Sequence, residues 1–342
     1  MAGARPAHDP YLHDPSRWGV SMAHMSEIIV ACLDAVGARS VAEVGAYAGD
    51  LTWVLARWAA GSGAQVLAID PAPQEGLVAL ANEHPEVSLV RETSLEALPK
   101  IPMPDVIVID GDHNYYTVHR ELDLISERAR GPELPLLLFH DVCWPHGRRD
   151  DYFDPGEIPA DARRPIAGSG GGIFPGDTGL RPDGLPYPRS AAHEGGERNG
   201  VLTAIEEFVA TRDGVRLAVI PAFFGFGAVW HADTPWAGDV ARILDPFDRN
   251  PLLERLEANR VDHLARGYAT SVELWALRER LERQEAVLRR LLDSSAFAVA
   301  ERMSRLRAAV GIAPQQSVVS KAEIRGVLSV PNGASPPPSA TD

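Results

Sequence analysis

Five short apolar runs recur through the first part of the chain: Ser-Val-Ala-Glu-Val (40–44), Gln-Val-Leu-Ala-Ile (65–69), Val-Ser-Leu-Val (87–90), Asp-Val-Ile-Val-Ile (105–109) and Leu-Leu-Leu-Phe (136–139). Near-continuous hydrophobicity over four or five residues marks strands buried on both faces, as a parallel sheet requires. Between them the pattern becomes helical, over 51–60 and 117–129. This alternation predicts a parallel sheet covered by helices on both sides. Further on, Asn199 reads as the N-cap of a helix running through Arg212. Residues 215–221 and 226–230, joined by a turn containing Gly225, read as an antiparallel hairpin that closes the sheet. The expected fold is therefore α/β: a Rossmann-like, doubly wound, mostly parallel sheet of seven strands with an antiparallel final hairpin.

The regular rhythm fails between residues 143 and 199, a stretch crowded with Gly, Pro, Asp and Arg that includes Gly168-Ser169-Gly170-Gly171-Gly172. Loops of this length in compact domains tend to be lids or binding loops. From about residue 236 the pattern is helical again, and Leu274, Leu277, Leu281, Gln284, Leu288 and Leu291 fall at a/d spacing. That stripe fits either an amphipathic helix lying on its own domain or a self-associating coiled coil. The expected organisation is an N-terminal arm (1–20), a catalytic domain (21–235) with a lid insertion at about 145–198, a helical extension (236–310) carrying the coiled-coil-like segment 271–292, and a mostly flexible tail (311–342). The last part of that tail, 331–342, is rich in Pro and Ser.

Composition narrows the function. The chain of 342 residues has 33 basic and 47 acidic side chains, a formal charge of −14, so it lacks the basic footprint that nucleic acid or an anionic membrane needs. Two cysteines, Cys32 and Cys143, are too few for a disulfide framework or a zinc cluster. No apolar leader opens the sequence and no uninterrupted apolar run is long enough to span a bilayer, so a cytoplasmic location is expected.

The candidate chemistry lies where strands end. The first strand runs into Glu43-Val44-Gly45-Ala46-Tyr47-Ala48-Gly49-Asp50, and glycines at such a turn let backbone approach a ligand beside the free N–H groups of a helix start. The dinucleotide pattern G-x-G-x-x-G is not met, because only Gly45 and Gly49 are present. Asp70 ends the second strand 25 residues beyond Gly45, where a carboxylate accepts hydrogen bonds from ribose hydroxyls. Asp110 and Asp141 follow the fourth and fifth strands. If those strands are neighbours, their ends sit on the order of 5 Å apart and the two acids can share a cation. His140, Asp112 and His113 crowd the same rim. The oxygen-rich set suits Mg²⁺, and the histidines also admit Mn²⁺ or Zn²⁺. His113 is a candidate base, since an unperturbed imidazole titrates near neutrality. The lid contributes Trp144, His146, Arg148, Arg149, Tyr152 and His193, residue types that hold sugars or anionic groups by stacking and forked hydrogen bonds.

Glu-Val-Gly-Ala-Tyr-Ala-Gly (43–49), Ala-Ile-Asp-Pro (68–71) and Val-Ile-Asp-Gly-Asp-His-Asn-Tyr (108–115), in that order at successive strand ends, resemble class I S-adenosylmethionine-dependent methyltransferases. More narrowly, they resemble the family 24 group, akin to macrolide-sugar and novobiocin-type O-methyltransferases. The resemblance covers about residues 22–232. It implies that Glu43, Gly45, Tyr47 and Gly49 surround the methionine part of the cofactor, that Asp70 holds its ribose, and that Thr93 and Ser94 lie near the adenine. It also implies that Asp110 binds Mg²⁺, with His140 and Asp141 completing the metal set, and that Asp112 acts as base, a role for which His113 is the alternative. Two departures stand out: Arg91-Glu92 where many relatives carry glycine, and His140-Asp141 where they carry Asp-Asp. The expected function is metal-assisted O-methylation of a sugar, glycan or glycosylated metabolite by a homodimer or higher homo-oligomer. The competing readings are an NAD-type oxidoreductase and a non-catalytic scaffold that recruits a partner through its C-terminal helix.

Overall fold

The structure, a computed structural model, describes residues 21–311 and 319–328. The expected arm (1–20) and most of the expected tail (312–318 and 329–342) lie outside the described residues. Two compact units are formed by Met1–Ala265 and Arg266–Asp342.

The first unit is built on seven strands: β1 (Ser40–Val44), β2 (Gln65–Ile69), β3 (Val87–Val90), β4 (Val106–Ile109), β5 (Leu136–His140), β6 (Val215–Ile220) and β7 (Phe226–His231). Their order is β3-β2-β1-β4-β5-β7-β6, parallel throughout except that β7 runs antiparallel to both of its neighbours. All seven expected strands are present. Apolar residues are continuous in the central strands because alternate side chains enter two different cores. Val106, Val108, Leu136 and Leu138 pack on one face, while Ile107, Ile109, Leu137 and Phe139 pack on the other.

The first core is covered by α1 (Ser26–Val36), α2 (Asp50–Ser62), α3 (Glu75–Glu83) and, beyond the hairpin, a helix at Ala237–Leu244. The second is covered by α4 (Ser94–Ala97), α5 (Tyr115–Arg128) and α6 (Val201–Ala210). Local signals set the helix starts: Asn114 caps α5 by accepting from the Thr117 N–H at 2.8 Å, and Thr93 with Glu96 forms a capping box on α4. The expected cap at Asn199 is not made. Gly200, at φ 89°, caps α6, because the Asn199 amide is committed to the preceding loop.

Numbering the Ala237–Leu244 helix α7, the chain continues into α8 (Pro251–Asp293), α9 (Ser295–Ala309) and α10 (Lys321–Leu328). Within the second unit, the Lys321 ammonium donates to the Leu292 carbonyl at 2.6 Å and Ile324 is buried. No helix among the described residues is long and apolar enough to cross a membrane.

Candidate active site

Register brings the functional residues to one edge. Val44 of β1 lies opposite Ile109 of β4, and Ile109 opposite Phe139 of β5, so Gly45, Asp110 and the His140-Asp141 pair emerge side by side. This carboxyl edge is where open α/β sheets place ligands. Gly45 sits at φ 83°, and a Cβ there would lie 2.1 Å from the Asp110 carbonyl oxygen, so no other residue fits without separating β1 from β4. The glycine turn and the Asp110 cluster are therefore in direct backbone contact.

Around this turn, Glu43 is buried and accepts from the Thr52 hydroxyl at 2.7 Å. Burial pushes its carboxyl up to about 8, aided by the charges of Asp110 and Asp70 and opposed by the Thr52 bond. Tyr47 is exposed and left-handed at φ 43°, and its N–H donates to Asp70 Oδ2 at 2.7 Å. Asp70 Oδ1 accepts from the Ala72 N–H at 2.7 Å, so this buried carboxylate also ties the two loops together. Gly49, at φ 91°, starts α2. Thr93 and buried Ser94 begin α4 after β3, and the Ser94 hydroxyl lies beside Glu121 of α5. Glu121, a residue absent from the sequence expectations, is fully buried and pushed up to about 8 by that burial.

The acid–histidine cluster forms as the strand ends predict, with one exception. Asp110, His140 and Asp141 each direct a ligand atom into a space where these atoms lie within 4.8 Å of one another. His140 Nδ1 is 3.1 Å from Asp110 Oδ1 and 3.5 Å from Asp141 Oδ2, while its Nε2 donates to the Phe223 carbonyl at 2.9 Å. That carbonyl holds the Nε2 proton and turns Nδ1 toward the two carboxylates, where it carries a proton that a bound cation would displace. Across an octahedral ion with bonds of about 2.1 Å, ligands stand about 3 to 4 Å apart, so the three donors fit Mg²⁺ or Mn²⁺ after drawing in slightly. Burial disfavours a charged His140, but the two carboxylates outweigh it and raise the imidazole well above its usual range. Asp141 is correspondingly held low by His140 and His113 against its own burial.

His113 joins this group, with Nδ1 at 3.2 Å from Asp141 Oδ2. Its ring stacks on His146 at 5.2 Å, and Tyr187 meets His146 edge-on at 5.3 Å. Burial opposes protonation of His113, yet the carboxylates of Asp141, Asp110 and Asp151 raise it overall. His146 is instead lowered, chiefly by burial. Asp112 is the exception. Its Oδ2 accepts from the Thr117 hydroxyl at 2.7 Å and its Oδ1 from the Phe153 N–H at 2.9 Å, so both oxygens are engaged in holding loops.

The cluster rests on a turn the sequence did not announce. Phe223 and Phe224, between β6 and β7, are both left-handed, at φ 52° and 66°. Their N–H groups donate to the two carboxylate oxygens of Glu257 on α8, at 3.2 and 2.7 Å. Arg260 pairs with Glu257 at 2.6 Å and covers the Phe224 ring. Asp141 itself is left-handed at φ 56°. Non-glycine residues in this region cost of order 1–3 kcal/mol each and persist where the surroundings over-determine them.

The 143–199 loop is packed rather than loose. Arg149, with no exposed surface, donates to the carbonyls of Ala191 and Thr178. Asp150 accepts from the Tyr115 and Gly200 N–H groups and from the Tyr152 hydroxyl. Arg149 and Tyr152, expected to face an acceptor, thus hold the loop's own interior. His193 is exposed, Arg148 pairs with Glu206 at 2.7 Å, Trp144 is half-buried, and His146 joins the cluster through its stack on His113.

Residues 42–142 match the profile of a family described as a methyltransferase domain, family 24. No curated protein matches the chain. Among solved structures, similar ones include the SAH-bound methyltransferase PaMTH1 of Podospora anserina (13% identity over 65% of this chain and 84% of that one, TM-score 0.40). Others are a putative O-methyltransferase from Klebsiella pneumoniae (16%, 68% and 92%, 0.39) and the O-methyltransferase from Bacillus cereus in complex with SAH (18%, 66% and 84%, 0.36). At these scores the likeness says nothing of activity.

Proposed function

We propose that this chain, whose residues 42–142 match the family 24 methyltransferase profile, methylates a hydroxyl of a sugar, glycan or glycosylated metabolite, using S-adenosylmethionine and a divalent cation. The observation that carries this reading is the contact between the Gly45 turn and the Asp110 backbone. It sets a cradle that only glycine allows against a cluster able to hold a cation and take a proton. A methyl donor in the cradle and a hydroxyl at the cluster then meet within one site, and orientation of the reactants is the main demand of such a displacement.

When bound, S-adenosylmethionine supplies the electrophilic methyl group and the cation stabilises the oxygen as its proton leaves. Asp110, His140 and Asp141 hold the cation; Glu43, Gly45, Tyr47 and Gly49 line the methionine end, Asp70 the ribose, and Thr93 with Ser94 the adenine. His113 is the base. Asp141 occupies Nδ1 and orients the ring, so Nε2 takes the proton from the acceptor hydroxyl. Asp112 is assigned to positioning, because both of its oxygens are already bonded.

The test is a thermal-shift and turnover pair. S-adenosylhomocysteine should raise the melting temperature and NAD should not. Asp70→Ala should weaken S-adenosylhomocysteine by about 1.5–3 kcal/mol, the range for losing charge-assisted hydrogen bonds. Labelled methyl from S-adenosylmethionine should appear on glycosylated acceptors in a panel that also holds catechols and free carboxylic acids. Stabilisation by NAD alone, or methylation confined to the non-sugar acceptors, overturns the respective half of the reading.

A further inference from the structure

The C-terminal part of α8 presents a leucine stripe that is largely exposed among the described residues. Leu274, Leu277, Leu281 and Leu291 are exposed, Leu274 by 61% and Leu281 by 53%, and Leu288 is half-buried. The stripe alternates steps of three and four over 271–292, the 3.5-residue period of a left-handed supercoil rather than the broader apolar face of a helix lying on a globular core. Helices in proteins draw most of their stability from packing an apolar face, so an exposed stripe of this kind calls for a partner surface.

The flanking charges identify the partner. With Leu274, Leu281 and Leu288 at a and Leu277, Gln284 and Leu291 at d, the g positions are Glu273, Arg280 and Val287, and the e positions are Arg278, Glu285 and Leu292. In a parallel, in-register pair each g residue faces the e residue five positions on in the other chain. Glu273 then meets Arg278, Arg280 meets Glu285, and Val287 meets Leu292, so every facing pair is opposite in charge or apolar. In an antiparallel pair centred on the seam, where Leu281 faces Gln284 of the other chain, g faces g and e faces e: Arg278 meets Glu285 twice, Arg280 meets Val287 and Glu273 finds no basic partner, which gives two opposite-charge pairs against the four of the parallel register. Gln284 meets its own copy only in the parallel register, where a polar seam residue finds a polar partner and fixes alignment.

We propose that residues 271–292 form a parallel, in-register two-stranded coiled coil with a second copy of this chain, making the protein a dimer through its C-terminal unit. The g–e complementarity selects a second copy over an unrelated partner, because one sequence satisfies both sides of the seam.

The test uses the full chain in multi-angle light scattering at micromolar concentration, with disulfide crosslinking to read orientation. The unmodified protein should have the mass of two chains. Leu281→Glu with Leu288→Glu should halve it, while circular dichroism of the first unit stays unchanged. Glu273→Lys with Glu285→Lys makes all four flanking charges basic, and Arg278→Glu with Arg280→Glu makes them acidic. Each variant alone should run as monomer, and an equimolar mixture should recover the dimer mass. Leu291→Cys, near one end of the seam, should crosslink to itself under mild oxidation, whereas the unmodified protein should not. A monomeric unmodified protein overturns the proposal, as does a dimer that survives the Leu281/Leu288 substitutions. A dimer in which Leu291→Cys crosslinks only to Leu274→Cys overturns the parallel orientation.

Discussion

A buried carboxylic acid at the head of the first strand sets the pH behaviour of the candidate site. Glu43 ionises near 4.5 in the unfolded chain but near 8 in the fold, because burial disfavours its charged form. The unfolded state therefore loses its proton first as pH rises. The stability this group contributes is fully present below about 4.5 and is lost progressively as pH climbs toward about 8, at most about 3 kcal/mol by pH 7. Glu43→Gln keeps an acceptor for the Thr52 hydroxyl without a titrating proton. Urea midpoints at pH 5 and pH 7.5 should show the Gln variant gaining on the parent as pH rises. Parallel behaviour at both values would mean that Glu43 titrates normally. Residues of this kind were legible in part. Glu43, Gly45 and Asp70 stand at strand ends that the apolar runs themselves define. Glu121, by contrast, belongs to a helical segment where Glu is ordinary, and only the packing of α5 against α4 buries it.

Among the elements, the five early strands could be read because each side chain run answers to local burial on both faces. The support of the cluster could not, since it depends on contacts between residues far apart in the chain. His140 leans on the Phe223 carbonyl, and the Phe223–Phe224 turn leans on Glu257. Neither link leaves a periodic trace in the sequence. The same holds for the 143–199 loop, whose Gly and Pro content reads as looseness while buried Arg149, Asp150 and Asn199 bind its turns together. Removing Glu257 tests whether this support matters to chemistry. Glu257→Ala deletes both acceptors of a left-handed turn and frees the carbonyl that orients His140. A loss of about 1.5–3 kcal/mol in holding the cluster corresponds to about 10- to 150-fold in kcat. S-adenosylhomocysteine affinity, which the proposed assignment places on the Asp70 side of the edge, should stay within about twofold. Calorimetric titration beside steady-state kinetics distinguishes this from general destabilisation, in which both quantities would fall together.

At the scale of the whole molecule, the excess of acidic side chains bears on the cation more than on the fold. A net charge of −14 produces a field that concentrates cations around the protein and repels polyanions. Asp110, His140 and Asp141 form the place where that field meets a set of ligand atoms within 4.8 Å of one another. Two contributions to cation affinity should then separate by their range. The direct bonds from the three side chains are insensitive to salt, whereas the long-range attraction is screened as the Debye length falls from about 30 Å at 0.01 M salt to about 8 Å at 0.15 M. Mn²⁺ binding, followed by electron paramagnetic resonance, should therefore weaken several-fold between those salt concentrations without vanishing. Asp141→Asn should abolish it at both, and should lower turnover far more than it lowers cofactor affinity. Chelator should arrest turnover, and Mg²⁺ or Mn²⁺ should restore it. Full activity in excess chelator, together with no Mn²⁺ signal at low salt, would assign the three side chains to holding the strand ends together and leave His113 to act on the acceptor without a metal.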